Sequence, residues 1–398
     1  MKKLSNIILV TAFLLITYGL LFLFLTQNRS QTSYFENRSL AAFPQITAET
    51  ITTGKFMAGI SAYVTDHFPF RDFWIKTYLQ LQMFMGQTFV YDYFITDDGW
   101  VFPQPITYFP QESMDASISS MGKLQQYAAE NGIELYFIAL PARNNVLTID
   151  YPEYLQNWAR EKMNKEYLLA GIAEKGVSII DLGAIWLAEN KPQDLFKYYW
   201  RTDHHWNMDG AFYGYQILRR ELATKYNVGT PLNVNDYRRF QAPQTEFIGS
   251  FNKQLYGLID DPDSIYYYQN TTPPEGNFSY YLGDEKTGNP VDGAEIYAQG
   301  LAEAKADYGL AYAADLREIT VLNAAKEAEQ TKTLIIKDSY VNILLPLLAE
   351  MSYLTTFYDV RHNSDRPLKE FLAERHYDRI FIMYNDGNIF SAMYDFGF

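Results

Sequence analysis

Residues 333–351, "TLIIKDSYVNILLPLLAEM", decide how the chain folds. The apolar run from Thr333 to Lys337 predicts a buried strand, "DSY" a sharp turn, and the stretch from Val341 to Met351 an apolar helix. Downstream, "YLTTFYDV" at 353–360 and "RIFIMYN" at 379–385 predict two more strands, separated by a helix that Ser364 or Asp365 can cap. Upstream, a helix from Ser113 stops at Asn131 and Gly132, and Ile133 to Leu140 reads as a strand. A second helix begins at "PEYLQNW", is closed by Gly176, and leads into a strand from Val177 to Leu182. Five strands alternating with helices predict an α/β fold with a largely parallel sheet and right-handed crossovers. In such sheets the chemistry gathers beyond the carboxyl ends of the strands.

The rhythm breaks between about 227 and 330, where "DDPDSIYYYQNTTPPEGNFSYY" is rich in Tyr, Pro, Asp and Gly. This segment predicts an insertion of irregular and β structure. At the other end of the chain, Ile7 to Leu25 carries no charge and comes after Lys2 and Lys3. At about 1.5 Å per residue such a helix crosses a hydrocarbon layer of roughly 30 Å. The residues after it, "TQNRSQTSYFENRS", offer no small-x-small cleavage site, which favours an uncleaved anchor over a signal peptide. The two lysines should stay inside, placing the rest of the chain on the outer face of the cell membrane as a single-pass protein. Residues 1–26 are then tip and anchor, 111–398 the α/β domain, and 27–110 a stem packing on that domain.

Composition excludes several classes of function. With 398 residues, 48% of them hydrophobic, the chain can bury a full core. Its formal charge of -14 disfavours nucleic acid as a partner. The lack of cysteine rules out disulfides, thiolate metal sites and a Cys nucleophile.

Ser339 falls two residues after a strand and just before a helix, so its hydroxyl would reach the sheet's carboxyl edge with helix N–H groups behind it to stabilise an oxyanion. The same Asp-Ser pair is also an ordinary helix cap. What changes the reading is "RTDHHWNMDG" at 201–210, in a chain with only five histidines. A serine nucleophile needs an imidazole to take its proton and a carboxylate to orient that imidazole. In an extended loop residues two apart point the same way, so Asp203 can lie beside His205 while His204 faces away as a structural histidine. Trp206 reads as packing, and Asn207 as the cap of a helix carrying Met208, Ala211, Tyr215, Leu218 and Leu222 on one face. A metal site at Asp203, His204 and His205 would need further carboxylates, and Asp150 and Asp181 stand alone. No metal or other cofactor is expected. Candidates for binding substrate or an oxyanion are Tyr340, Arg361, Asn385, Arg143 and Asn144. A surface ion pair for Arg361 and a turn residue for Asn385 are the plainer alternatives. Tyr266, Tyr267 and Tyr268 could shield the site or stack on sugar rings.

The segments "RTDHHWNMDGAFYGY", "GSFNKQLYG" and "TLIIKDSY", with "ENRSLAAFP" and "DHFPFRDFW" nearer the amino terminus, resemble the DHHW family of bacterial cell-surface proteins. That family resembles in turn the SGNH-like O-acetyltransferases that modify alginate and cellulose. The resemblance covers most of the chain after the anchor. It implies a three-layer SGNH-hydrolase-like fold in circularly permuted order, with Ser339 as nucleophile, His205 as general acid and base, and Asp203 as its orienting carboxylate. Alginate-group relatives carry a small residue where this chain has Asp338, which is expected to turn outward, away from a developing oxyanion. The function implied is transfer of acetyl groups to a cell-surface polysaccharide, with a membrane-bound O-acyltransferase as the partner supplying them. The alternatives are an esterase using the same three residues, and a noncatalytic scaffold that binds glycan or assembles a synthase.

Overall fold

The computed structural model of the protein describes residues 2–398 apart from 157–158, 261–262, 272–276 and 389–390. The described chain forms two compact units, residues 1–92 with 251–260, and residues 93–250 with 261–398.

The larger unit is built on an eight-stranded sheet. Its strands are β1 (Glu134–Leu140), β2 (Ser178–Asp181), β3 (Phe278–Leu282), β4 (Asn289–Val291), β5 (Glu318–Asn323), β6 (Lys332–Lys337), β7 (Leu354–Tyr358) and β8 (Arg379–Asn385). They lie in the order β4-β3-β5-β7-β6-β8-β1-β2. The five strands expected from the alternating pattern, β7-β6-β8-β1-β2, run parallel. Successive side chains of a buried strand point to opposite faces. Leu334 and Ile336 of β6 accordingly join one apolar layer with Met114, Leu124 and Ile172, whereas Ile335 joins the other with Trp206, Tyr215 and Val341. Helices Gln111–Glu130 and Glu161–Glu174 supply the first layer and helix Met208–Lys225 the second, which gives three layers. Gly132, at φ 69°, takes the left-handed conformation that ends the first of these helices.

Three findings revise the sequence reading. The region 227–330 is not merely inserted: β5 pairs antiparallel with β7, and β3 and β4 extend the sheet outward from it, so this region completes one edge of the main sheet. These strands are short and set among Pro, Gly and Asp, and the contacts that pair them, such as Ile319 with Phe357, lie far apart in the chain. Second, the helix expected from Val341 to Met351 is a 3₁₀ segment, Ser339–Leu344, followed by a single α-helical stretch, Leu345–Ala349. Pro346 at the start of the latter has no N–H to continue a ladder from the preceding turn. Third, helix Leu368–Glu374 is preceded by Pro367 at its cap position, not by Ser364 or Asp365.

The smaller unit contains helix Lys2–Thr26, apolar and long enough to cross a membrane, and helices Lys55–Asp66 and Arg71–Phe84. Its polar interior is closed by Arg38 on Asp66 at 2.7 Å and Arg71 on Glu36 at 2.6 Å.

Candidate active site

The parallel strand β6 delivers Asp338 and Ser339 to its carboxyl end, and the chain turns there at once. Asp338 fixes that turn. Its Oδ1 accepts from the Tyr340 N–H at 3.0 Å, and its Oδ2 accepts from the Asn385 N–H at 2.8 Å and from Asn388 Nδ2 at 2.7 Å. The carboxyl is therefore turned inward and buried, contrary to the expectation that it faces outward. Burial pushes its pKa up, against the pull of these hydrogen bonds and of Arg361. One consequence is that the Tyr340 N–H, the first donor after Ser339, is engaged by Asp338 and is not open to an oxyanion.

On the other side of the site, Asn207 Oδ1 caps helix Met208–Lys225 at the Gly210 N–H, 3.0 Å, and residues 201–206 lead into it as a bent loop, not the extended one expected from the sequence. The two-residue spacing puts Asp203 and His205 together. Asp203 Oδ1 lies 2.7 Å from His205 Nδ1 and also accepts the His205 N–H at 2.9 Å. His205 Nε2 lies 2.9 Å from Ser339 Oγ. The second Asp203 oxygen accepts the Ser250 N–H at 2.6 Å. Burial opposes ionisation of Asp203, but the charges of His205 and His204 and the hydrogen bonds from His205 outweigh it and hold the carboxyl well below the usual range. The arrangement can take a proton from Ser339, hold it on Nε2, and stabilise the resulting imidazolium.

Two contacts at this site escaped sequence reasoning. Tyr308 stacks face to face on His205, with ring centroids 3.6 Å apart and planes 4° apart, and its hydroxyl donates to Ser339 O at 2.8 Å. It is one of 33 tyrosines, in a segment without a recognisable pattern. Gly249 is the other: a Cβ there would collide with the Thr202 backbone, so the residue must be glycine for the Ser250 N–H to reach Asp203. "GSFNKQLYG" marks this place in the sequence, but nothing in it shows the contact.

The structure places the five other candidates around these elements. Tyr340 is buried, and its hydroxyl donates to His204 O while its own carbonyl accepts from Trp206 Nε1 at 3.0 Å. Arg143 is buried over the rings of Phe102 and Trp100 and donates to the carbonyls of Asp203 and Trp200. Burial draws its pKa down to about 10, which leaves it charged. Arg361 is held by the carboxylates of Asp359 at 2.6 Å and Asp315 at 3.1 Å. Asn385 closes its own turn by accepting the Gly387 N–H at 2.7 Å. Asn144 stands half-buried on the short helix Arg143–Val146. Tyr340 and Arg143 thus brace the histidine loop from behind, and Arg361 and Asn385 are committed to carboxylates and to a turn.

His204 does not face away as expected: its Nδ1 lies 2.9 Å from Ser250 Oγ and 3.5 Å from Asp203 Oδ1, and its ring sits 3.7 Å from that of His205, because the loop bends there. Desolvation and then the neighbouring His205 lower its pKa, although 45% of its side chain is exposed. Donor atoms of Asp203, His204 and His205 fall within 4.8 Å of one another, a spacing that could admit a metal ion. In the arrangement present, both His205 nitrogens and both Asp203 oxygens already serve the hydrogen bonds above, and a metal would have to replace them. The tyrosine run of the inserted region connects to these groups through Tyr312, whose ring centroid lies 5.5 Å from those of Tyr267 and Tyr308. Tyr267 is buried, and Tyr268 stacks on Phe212 and lines a cavity of about 580 Å³ with Tyr280, Tyr281 and Glu350.

Residues 94–275, which include Asp203 and His205 and stop short of Ser339, match the family model of the SGNH hydrolase-like domain of acetyltransferase AlgX. The match spans less than half of the chain, and over those residues the protein is similar to an SGNH hydrolase-like domain. Its fold is similar to that of PatB1 from Bacillus cereus, with 28% identity and a TM-score of 0.68 over 76% of this chain and 98% of that one. It is also similar to a second PatB1 structure, with a sulfonyl adduct, at 24% identity and a TM-score of 0.67 over 76% and 97% of the two chains. A DHHW family protein from Eubacterium siraeum has the same fold, at 17% identity and a TM-score of 0.54 over 75% of this chain and 91% of that one. None of the curated proteins matches the sequence. The resemblance drawn from the sequence, to the DHHW group and to SGNH-like O-acetyltransferases, stands. So does the three-layer α/β architecture of the SGNH hydrolase-like domain.

Proposed function

We propose that the protein is a membrane-anchored serine acyltransferase that moves acetyl groups onto a cell-surface polysaccharide. The observation that carries this reading is the continuous hydrogen-bonded line from Ser339 through His205 to Asp203. The match to an acetyltransferase domain family supports acyl transfer as the reaction class. Ser339 Oγ attacks the carbonyl of an acetyl donor while His205 Nε2 takes its proton. The tetrahedral adduct collapses to acetyl-Ser339, and the leaving group departs with that proton. His205 then deprotonates a sugar hydroxyl, which attacks the acetyl-serine and returns Ser339 to its starting state. Asp203 remains ionised throughout, orienting the ring and balancing its charge. The apolar helix Lys2–Thr26 serves as the anchor, with Lys2 and Lys3 inside and the SGNH-like domain outside. Acetyl groups reach it through a membrane-bound O-acyltransferase.

The test combines labelling with turnover. A fluorophosphonate or sulfonyl fluoride should label the wild-type protein and not Ser339→Ala, and that variant should lose roughly a thousandfold or more of its turnover of an activated acetyl ester. Adding an oligosaccharide acceptor should speed release of the leaving group and yield acetylated sugar with ping-pong kinetics. Acetate as the sole product at high turnover would make the protein an esterase. Equal labelling of Ser339→Ala would remove Ser339 from the chemistry, and no acyl-enzyme with any ester would favour a scaffold.

A further inference from the structure

Helix Arg71–Phe84 buries only Leu79, with Ile75, Arg71 and Lys76 half-buried beside it, and still leaves most of its large apolar side chains outward. Leu79 is buried, Arg71 Nη2 donates to Glu36 Oε1 at 2.6 Å, and Lys76 Nζ donates to Gly257 O at 3.0 Å. The opposite side presents Phe73, Trp74, Tyr78, Leu81 and Phe84, and just beyond the helix Met85, mostly three or four residues apart. All six are exposed, Phe84 to 88%. A helix on the surface of a water-soluble domain keeps its outward side polar, and a cluster of exposed aromatic and aliphatic side chains of this kind marks a partner surface.

The identity of the partner comes from how the same unit is tied to the apolar helix. Gln27 Nε2, just past the end of helix Lys2–Thr26, donates to His67 O at 2.5 Å. The Arg29 guanidinium lies 5.1 Å from the ring of Phe24 and 5.0 Å from that of Tyr63, and Phe24 and Tyr63 meet edge to face. The end of the apolar helix is thus fastened to helix Lys55–Asp66 and His67, and the chain enters helix Arg71–Phe84 four residues later. Phe68, Phe70 and Phe73 border the same hollow as residues 27–30. The first turn of the aromatic helix therefore stands at the level where the apolar helix leaves the hydrocarbon, the depth at which Trp and Tyr side chains are enriched.

We propose that Arg71–Phe84 is an interfacial helix that lies on the bilayer surface, with its aromatic stripe at the boundary between headgroups and acyl chains. The partner is lipid, and not specifically anionic lipid, because Arg71 and Lys76 are committed to groups within the unit. The inference rests on helix Lys2–Thr26 being the anchor. It gives the stem two membrane contacts, one spanning and one lying flat.

The chain has no cysteine, so single-cysteine variants of the full-length protein can be labelled cleanly. Tyr78→Cys, Leu81→Cys and, in the apolar helix, Leu14→Cys would each carry an environment-sensitive fluorophore in phosphatidylcholine vesicles doped with lipids bearing a nitroxide near the headgroup or deep in the chain. The expected result is loss of fluorescence at 78 and 81 with the shallow quencher, and at 14 with the deep one. Quenching at 14 with none at 78 and 81 would overturn the interfacial helix and leave the anchor intact. It would be overturned equally if 78 and 81 became shielded only when other membrane proteins were added, since the face would then belong to a protein partner. Quenching at 78 and 81 without quenching at 14 would uphold the interfacial helix and remove the anchor reading.

Discussion

His205 is held on two sides, by the Asp203 carboxylate at one edge and the Tyr308 ring across its face. A ring face is electron-rich and stabilises a cation lying on it, so Tyr308 would favour the imidazolium that forms when Ser339 gives up its proton. Such contacts are worth about 1–2 kcal/mol when shielded from water, which corresponds to roughly five- to thirtyfold in rate. Tyr308→Leu is expected to lower the acylation rate by about that factor, while Tyr308→Phe, which keeps the ring and loses the hydroxyl's bonds to Ser339 O, Tyr340 O and the Ile343 N–H, is expected to lower it less. Stopped-flow acylation with an activated ester distinguishes the two. A second residue-scale prediction concerns Asp338, whose buried oxygens receive three N–H donors. Asp338→Asn would set an amide NH₂ against some of those donors and is expected to cost about 1–3 kcal/mol, read as a lower midpoint in chemical unfolding.

Among the elements, the segment that carries Gly249 and Ser250 contributes more than its composition suggests. It holds the outer oxygen of Asp203 with a backbone N–H, a donor that a side-chain substitution at Ser250 cannot remove. Gly249→Ala can displace it, because the added methyl would collide with the Thr202 backbone. A hydrogen bond to a charged group contributes about 1.5–3 kcal/mol, so fluorophosphonate labelling of Gly249→Ala should slow by roughly ten- to a hundredfold. Unchanged labelling would show that the His205 bonds alone orient Asp203. The short 3₁₀ segment after Ser339 acts at the same scale: it packs Val341 and Ile343 into the core within a few residues of the serine, so the nucleophile stands on a rigid turn.

At the level of the whole molecule, the proposed anchor and the charge beside it define a topology. Lys2 and Lys3 begin the apolar helix that ends at Thr26, and residues beyond it should lie outside. Protease added to intact spheroplasts is expected to digest the SGNH-like domain and spare a short amino-terminal fragment; complete protection would reverse the orientation. The eight-stranded sheet belongs to this scale too. Its edge strand β4 and the next two, β3 and β5, are drawn from the region 227–330, which also supplies Tyr308 and Ser250 at the site. A deletion of that region would therefore remove part of the sheet and part of the site together.

Features that depend on near neighbours were legible in the order of the amino acids. Alternation between helical and strand periods placed the five parallel strands, Gly132 and Gly176 marked helix ends, Asn207 marked a helix start, and the two-residue spacing put Asp203 and His205 on one side of their loop. Tertiary structure decided what depends on distant chain. Ser339 meets His205 across 134 residues, and the inward turn of Asp338 is set by backbone donors at Asn385 and Tyr340. Strand β5 pairs with the edge of β7, β3 with β5 and β4 with β3, and Tyr308 reaches His205 because the region around it is folded against the sheet. The physical reason is the same in each case. Periodicity and capping act within one turn or one strand, whereas pairing, stacking and burial are satisfied only when segments far apart in the chain are brought within a few ångströms.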